Sequence, residues 1–416
     1  MNITVTPSQL GGTLEAPPSK SLTQRAIAAG LLASGTTVIR HPSFCNDSVA
    51  AMGIARALGA IVTEEEDSIT VFPGERPAGH VNINCGESGL ALRMFAPVAA
   101  LMSDSVSVTG EGSLMRRPVT MISEALAQLG VRVETAGGLL PVQLSGRLRA
   151  GRALVDGSTG SQLLTGLLMA LPLAKGESRL DVANLTSKPY IGLTLRLLAD
   201  FGLTVINDNF RTFTIPGNQV YRAREYSVEG DWSGAAFLLV AGATGQGVTV
   251  KNLGAGSMQA DRAVMRALED AGAAIEVADE SIKVSGTNLS AFSFDATDSP
   301  DLFPPLAALA AGCDGASTIS GVGRLRHKES DRAEAIADVL GAMGISVRFS
   351  GDAMVITGGR AKVAVVSSHN DHRIAMMAAV MAASAAGPVT ITGAEAVAKS
   401  YPGFYDDLNR LGARVS

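Results

Sequence analysis

The chain is poor in the residues that most often announce a specialised role. Its three cysteines, Cys45, Cys85 and Cys313, stand far apart, with no CxxC pair and no Cys/His spacing. That argues against a disulfide framework or a zinc site and fits a reducing compartment. Aromatic residues make up 4% of the chain, with a single Trp, too few for recognition of nucleic acid by stacking. Basic residues are not in excess either: the net charge is −5, so no global positive field draws in polyanions. The longest apolar run, IAMMAAVMAASAAG, falls short of the roughly 20 residues a membrane span needs. The opening MNITVTPSQL lacks a basic segment followed by an apolar one, so no secretory leader is expected. A cytoplasmic protein without nucleic-acid or membrane partners is the expectation, and anything anionic must be bound by locally clustered cations.

What the chain does contain is Ala, Gly and aliphatic side chains, with 46% hydrophobic residues over 416 positions. That is globular, and too long for one ordinary core. Six short phrases recur: RALGAIVTE, AQLGVRVET, ADFGLTVIN, EDAGAAIEV, GAMGISVRF and NRLGARVS. Each ends an amphipathic stretch with a glycine and enters an alternating or β-branched run, which predicts a helix, a C′ glycine and a strand. The glycines, Gly59, Gly130, Gly202, Gly272, Gly344 and Gly412, are separated by 71, 72, 70, 72 and 68 residues. In phase with them, Ala-rich stretches precede strands at SGTTVIR, SDSVSVTG, KGESRLDV, GQGVTVKN, DGASTISG and AGPVTITG. The pattern predicts six βαβαββ-like units, three per domain, in an α/β chain. They are too long for a solenoid repeat. The boundaries expected are residues 14–227 for one domain, and 1–13 with 228–416 for the other. The N-terminal strand has no helix before it and would close the last unit of the second domain.

Polar and charged residues gather where helices open: PPSKSLTQR, CGESGLALR, GSTGSQLLTG, EGDWSGAAF, DSPDLFPPL, HNDHRIAMM, TSKPYIG and, densest of all, GRLRHKESDRAE at 323–334. Capping alone accounts for Ser48, Ser161 and Asp371. It does not account for Lys20, Arg25, Arg93, Arg117, Lys188, Lys328 and Arg373 near helix starts, where the dipole disfavours cations. A cation there makes sense when an anion lies between it and the helix. A small substrate with several negative groups is the reading. Other signals are weak. The SKS triplet has no GxxxxGK[ST] before it, GATGQG at 242–247 is a helix–strand loop, and His327 and His372 read as hydrogen-bonding residues. Asp301 could cap the following helix or act as a base, and Glu329 and Asp331 could be ion-pair partners of Arg326 and Arg332.

Taken together, PPSKSLTQR, GESGLALR, GEGSLMRRP, DGSTGSQ, SKPYI, VEGDWSGAA, SPDLFP, RHKESDR, NDHRIAM and KSYPGF resemble the 5-enolpyruvylshikimate-3-phosphate synthases, the 3-phosphoshikimate 1-carboxyvinyltransferases. They stand in the family's order from residue 17 to 405. The resemblance implies a two-domain inside-out α/β barrel with the active site in the interdomain cleft. It implies transfer of the enolpyruvyl group of phosphoenolpyruvate to the 5-hydroxyl of shikimate 3-phosphate, in chorismate and aromatic amino-acid biosynthesis. The methylene carbon is protonated, the hydroxyl attacks its neighbour, and the tetrahedral adduct loses phosphate and a proton. No cofactor or metal is needed, and a monomer is expected. The catalytic residues implied are Asp301 as base toward the hydroxyl, Glu329 for the methyl proton, and Lys20. Shikimate 3-phosphate would meet Lys20, Ser21, Arg25, Ser161, Gln162, Ser187, Tyr190, Asp301, Arg324 and Lys328. Phosphoenolpyruvate would meet Lys20, Gly89, Arg117, Gln162, Arg332, Arg373 and Lys399. Asp331 would orient its arginine neighbours.

The chain departs from the family at several points. Asn-Ala-Gly-Thr is common where this chain has Glu87-Ser88-Gly89-Leu90, Ser-Ser-Gln becomes Gly160-Ser161-Gln162, and Arg324 replaces an Asn. Two alternatives stand beside the main reading. The sister transferases acting on UDP-N-acetylglucosamine usually carry a reactive Cys in the loop here occupied by GEGSLMRRP, which has none. A non-catalytic binding paralogue would not need Asp301, Glu329, Lys20 and Arg373 together.

Overall fold

A computed structural model of the protein describes residues 1–326 and 328–416. His327 lies outside the described residues. The chain forms two compact units, Met1–Pro17 with Glu229–Ser416, and Pro18–Val228. The crossings lie a few residues beyond the 13/14 boundary expected and next to the 227/228 one.

Every unit is assembled from the same local pattern. His80–Asn84 runs parallel to Ser105–Thr109, which pairs antiparallel with Leu139–Ser145, itself antiparallel to Arg132–Ala136. One helix, Gly89–Met102, joins the parallel strands, and a second, Thr120–Gln128, leads to the hairpin. Six four-stranded sheets of this order occur among the described residues. Three of them borrow a strand from far along the chain. Gly12–Glu15 lies parallel to Val248–Lys251. Glu225–Ser227 completes the sheet of Thr37–Arg40, and Asn2–Thr6 lies between Val389–Thr392 and Arg414–Val415.

The helices that join parallel strands are apolar all round, so they must be buried on every side. His372–Ala383 is buried along its whole length, and Gly89–Met102 at every position except Arg93. In the first unit Trp232–Thr244, Phe303–Ala311 and His372–Ala383 pack on one another to make the core. In each unit the sheets lie outside the helices with one face inward: Ser281–Ser285 in the first and His80–Asn84 and Arg152–Asp156 in the second bury alternate residues, as amphipathic strands must. Helices inside and sheets outside make an inside-out α/β fold.

The second helices end in one way. At all six repeat glycines φ is positive, from +77° at Gly344 to +101° at Gly59. Around Gly59, Gly59 N–H donates to Arg56 O at 3.0 Å and Ala60 N–H to Ala55 O at 3.0 Å. The same two bonds recur at Gly272, to Glu269 and Leu268, and at Gly412, to Asn409 and Leu408. These are Schellman caps, which satisfy the last carbonyls and turn the chain into the next strand.

Candidate active site

The stretch 323–334 enters the helix Arg332–Ala342, whose first residue is fully buried. Asp331 is its N-cap and accepts from Glu334 N–H, so it caps the helix rather than steering the arginines, a correction to the sequence reading. The guanidinium of Arg332 is held by three carboxylates from different elements. Its Nε donates to Asp371 at 2.9 Å, one Nη to Asp301 at 2.8 Å, and the other Nη to Glu329. Asp301 in turn accepts from Lys328 at 3.2 Å and Arg373 at 3.2 Å. Its position in the short turn Pro300–Leu302 thus gathers three cations around one carboxylate.

Burial works against ionisation of Asp301, but Arg373, Lys328 and Arg332 outweigh it and hold the carboxyl well below the usual carboxylate range. Burial also draws the Lys328 ammonium down, and although Asp301 opposes this, Arg332 adds to it. Both members of the Asp301–Lys328 pair therefore shift downward, because burial outweighs the pull of Asp301 on the lysine. Arg332 goes the other way: burial lowers it, but Asp371, Glu329 and Asp301 raise it further. Asp261 is fully buried beside them and takes a hydrogen bond from the Ser233 hydroxyl. Burial and the charge of Asp301 push it up to about 6. Arg324 donates to Thr297 O at 3.0 Å, and Lys399 to Asn370 O at 2.7 Å, the residue before Asp371.

The unit Pro18–Val228 gathers cations with a different accompaniment. Lys20, first residue of the helix Lys20–Leu32, pairs with Asp47 at 2.9 Å. Five residues on, Arg25 is 1% exposed, and its partners are neutral: Thr194 at 3.0 Å, Ser21 O at 2.9 Å and Thr165 at 3.5 Å. Burial lowers it to about 10, with Tyr190 and Tyr226 opposing. A buried guanidinium with hydroxyls rather than a carboxylate around it is a site prepared for an anion. Ser161 sits at the N-cap of Gln162–Ala170 but bonds no helix N–H, and Ser48 lies inside its helix rather than at its cap. Capping therefore accounts for Asp371 alone of the three residues ascribed to it. Ser187 stands in the left-handed region at φ +57°, immediately before Lys188–Asp200, a strained position for serine.

Gly89 is the meeting point of this second group. A Cβ there would lie 2.8 Å from an Arg117 Nη and 2.9 Å from one of Arg93. Arg93 also donates to Gln162 Oε1 at 3.2 Å. A side chain there would push both guanidiniums back from the position they hold. The structure thus joins Lys328, Glu329, Arg332, Arg373 and Asp301 in one group, with Arg324 and Lys399 held beside them. It joins Gly89, Arg117 and Gln162 in another, with Arg25 linking the helices that begin at Lys20, Gln162 and Lys188. Sequence reasoning missed Asp47 and Asp261, and read Asp371 only as a cap. Nothing local marks the three as partners of cations, because their partners lie on other helices. Among the described residues no group of His, Cys, Asp and Glu could hold a metal ion, and no helix is long and apolar enough to cross a membrane.

Comparison with known proteins places this arrangement. An enolpyruvyl transferase from Streptomyces tendae superposes with a TM-score of 0.77 at 17% identity, covering 100% of this chain and 98% of that one. An EPSP synthase structure from Acinetobacter baumannii gives a TM-score of 0.83 at 26% identity, covering 100% and 99%. The fold is that of the enolpyruvyl transferases. The family model for EPSP synthase (3-phosphoshikimate 1-carboxyvinyltransferase) matches residues 5–408. A 3-phosphoshikimate 1-carboxyvinyltransferase from Clostridium kluyveri is 36% identical over 99% of this chain and 98% of its own length. One from Clostridium botulinum is 35% identical over 98% and 96%. The chain belongs to the EPSP synthase family.

Proposed function

We propose that this chain transfers the enolpyruvyl group of phosphoenolpyruvate to the 5-hydroxyl of shikimate 3-phosphate and releases phosphate, a step of the shikimate route to aromatic amino acids. The observation that carries the reading is the Asp301 clamp, in which Lys328, Arg332 and Arg373 converge on one carboxylate. With its cations in place Asp301 is ionised but a poor proton acceptor. Substrate phosphates and carboxylates that engage Lys328 and Arg373 take those charges away from it. Its affinity for a proton then rises as the hydroxyl arrives, so anion binding itself prepares the base. Arg332, tied also to Asp371, holds Glu329 at the same cluster, where it serves the methylene proton.

In the other unit Lys20, Ser21, Arg25, Ser161, Gln162, Ser187 and Tyr190 take the shikimate 3-phosphate, and Lys20, Gly89, Arg117 and Gln162 the phosphoenolpyruvate. Arg324 and Lys328 add to the first set, and Arg332, Arg373 and Lys399 to the second. Buried Arg25 with its neutral partners supports the phosphate assignment. The enzyme acts as a cytoplasmic monomer, without cofactor, nucleic acid or membrane partner. The sugar-nucleotide alternative gains nothing: Cys85 is fully buried with its thiol pushed up to about 12 by burial, and Cys45, beside Asp47, is also buried and raised by burial.

The test is phosphate release from phosphoenolpyruvate with shikimate 3-phosphate or UDP-N-acetylglucosamine as acceptor. Release with the first alone is expected. Asp301→Asn and Glu329→Gln should each lower kcat by about 100-fold or more, the scale of a lost general acid or base. Release with the sugar nucleotide alone would overturn the proposal.

A further inference from the structure

Two segments of the unit Pro18–Val228 run side by side toward Arg117 and are joined rung by rung. Cys85 N–H donates to Thr109 O at 2.9 Å and Glu111 N–H to Gly86 O at 2.7 Å. Asn84 Nδ2 donates to Glu111 Oε1 at 2.8 Å. The last rung is made by a side chain: Ser113 N–H donates to Glu87 Oε2 at 2.9 Å. Glu87 lies so close over Gly112 that a Cβ at Gly112 would overlap its carboxyl, and Gly112 has φ +51°. From Ser113 the short turn Gly112–Arg116 carries the chain to Arg117, whose N–H donates to Leu114 O at 3.1 Å. The Arg117 guanidinium then comes back against Gly89. Glu87 and Gly89, two positions apart, thus hold the two ends of the loop that delivers this arginine. Between them Ser88 caps the helix Gly89–Met102 and donates to Gln24 Oε1 at 3.1 Å, one turn along from Lys20.

We propose that Glu87 is a positioning residue for phosphoenolpyruvate, fixing the start of the loop whose end presents Arg117. This rests on the reading of Arg117 as a ligand of that substrate. A carboxylate beside an anion site would by itself repel the anion. Here one of its oxygens accepts a charge-assisted hydrogen bond from a backbone N–H, which turns the acidic residue from an obstacle into a brace. The brace acts on the loop that ends at Arg117, so its loss falls chiefly on the substrate that Arg117 binds.

The experiment is steady-state kinetics of the whole enzyme together with direct binding of shikimate 3-phosphate. Glu87→Ala is expected to raise the KM for phosphoenolpyruvate about ten-fold, the scale of one hydrogen bond to a charged group. The dissociation constant of shikimate 3-phosphate should stay within about two-fold. Glu87→Gln, which keeps an acceptor oxygen, should recover most of the loss. Gly112→Ala should weaken phosphoenolpyruvate more in the parent than in the Glu87→Ala background, where the overlap with the carboxyl is gone and only the left-handed strain at Gly112 remains. Should Glu87→Ala not fold, Glu87→Asp, with its carboxylate drawn back by one methylene, carries the same expectation. A phosphoenolpyruvate KM that is unchanged or lowered, or equal losses for both substrates, would overturn the proposal. Arg117→Ala is run alongside. If it leaves the phosphoenolpyruvate KM unchanged, the ligand assignment fails. If it raises that KM while Glu87→Ala does not, the positioning role alone fails.

Discussion

Asp261 and Asp301 show how one neighbourhood drives two identical side chains apart. Burial and the charge of Asp301 lift Asp261 to about 6, whereas cations hold Asp301 well below its ordinary value. The consequences for stability have opposite signs. A carboxyl that titrates near 6 when folded and near 3.8 when unfolded takes up protons on folding, so its contribution falls as pH rises between those values. The contribution of Asp301 is complete above its unfolded value and is lost as pH falls toward its lower folded one. Asp261→Asn should therefore change the melting temperature more favourably at pH 7 than at about pH 4.5, relative to the parent. Equal changes at both pH values in calorimetry would remove Asp261 as a titrating group. At this scale the sequence was readable where chemistry and position disagreed, as with Lys328, Arg373 and Arg25 at helix mouths that repel cations. It was unreadable where the partner was an ordinary residue. Asp371 caps its helix through one oxygen, donating nothing unusual to the pattern, and its bond to Arg332 spans two helices.

The helix endings are the most legible elements, because a left-handed residue has few solutions and glycine is the cheapest. Their costs nevertheless differ with surroundings. A Cβ on Gly272 would meet nothing closer than Asn288 O at 3.7 Å, so Gly272→Ala carries only the left-handed strain, about 1–2 kcal/mol. At Gly59 the added carbon would overlap the carbonyl of Glu75, and backbone must move. Gly59→Ala should lower its unit's melting temperature clearly more than Gly272→Ala lowers that of the other unit. Thermal unfolding of both variants decides it. The hairpin strands were harder to read than the glycines. Ala274–Ala278 and Ser346–Ser350 alternate in sequence, at Ile275 and Val277 and at Val347 and Phe349, yet neither has a buried residue, so the alternation marks a strand here without reporting its burial. Their pairing comes from inner neighbours such as Ser281–Ser285, with Ile282 and Val284 buried. The parallel or antiparallel sense of each strand likewise follows from the connection and not from its residues.

In the whole molecule the strand Asn2–Thr6 has an importance its length conceals. It is an inner strand, bonded to Val389–Thr392 on one side and Arg414–Val415 on the other, and Val5 is fully buried. Deleting residues 1–6 should unfold or loosen the unit Glu229–Ser416 while Pro18–Val228 stays protected, as limited proteolysis would reveal. Unchanged protection of both units would contradict it. The place of this strand could be inferred because no helix precedes it. Its second partner, two residues long, offers no sequence pattern. The arrangement also sets an order in time. Asn2–Thr6 is synthesised long before Val389–Thr392 and Arg414–Val415, and at roughly 5–20 residues per second it waits roughly 20 to 80 s for them. Residues 18–228 have all their partners well before then, so that unit closes first and Asn2–Thr6 finds its place later.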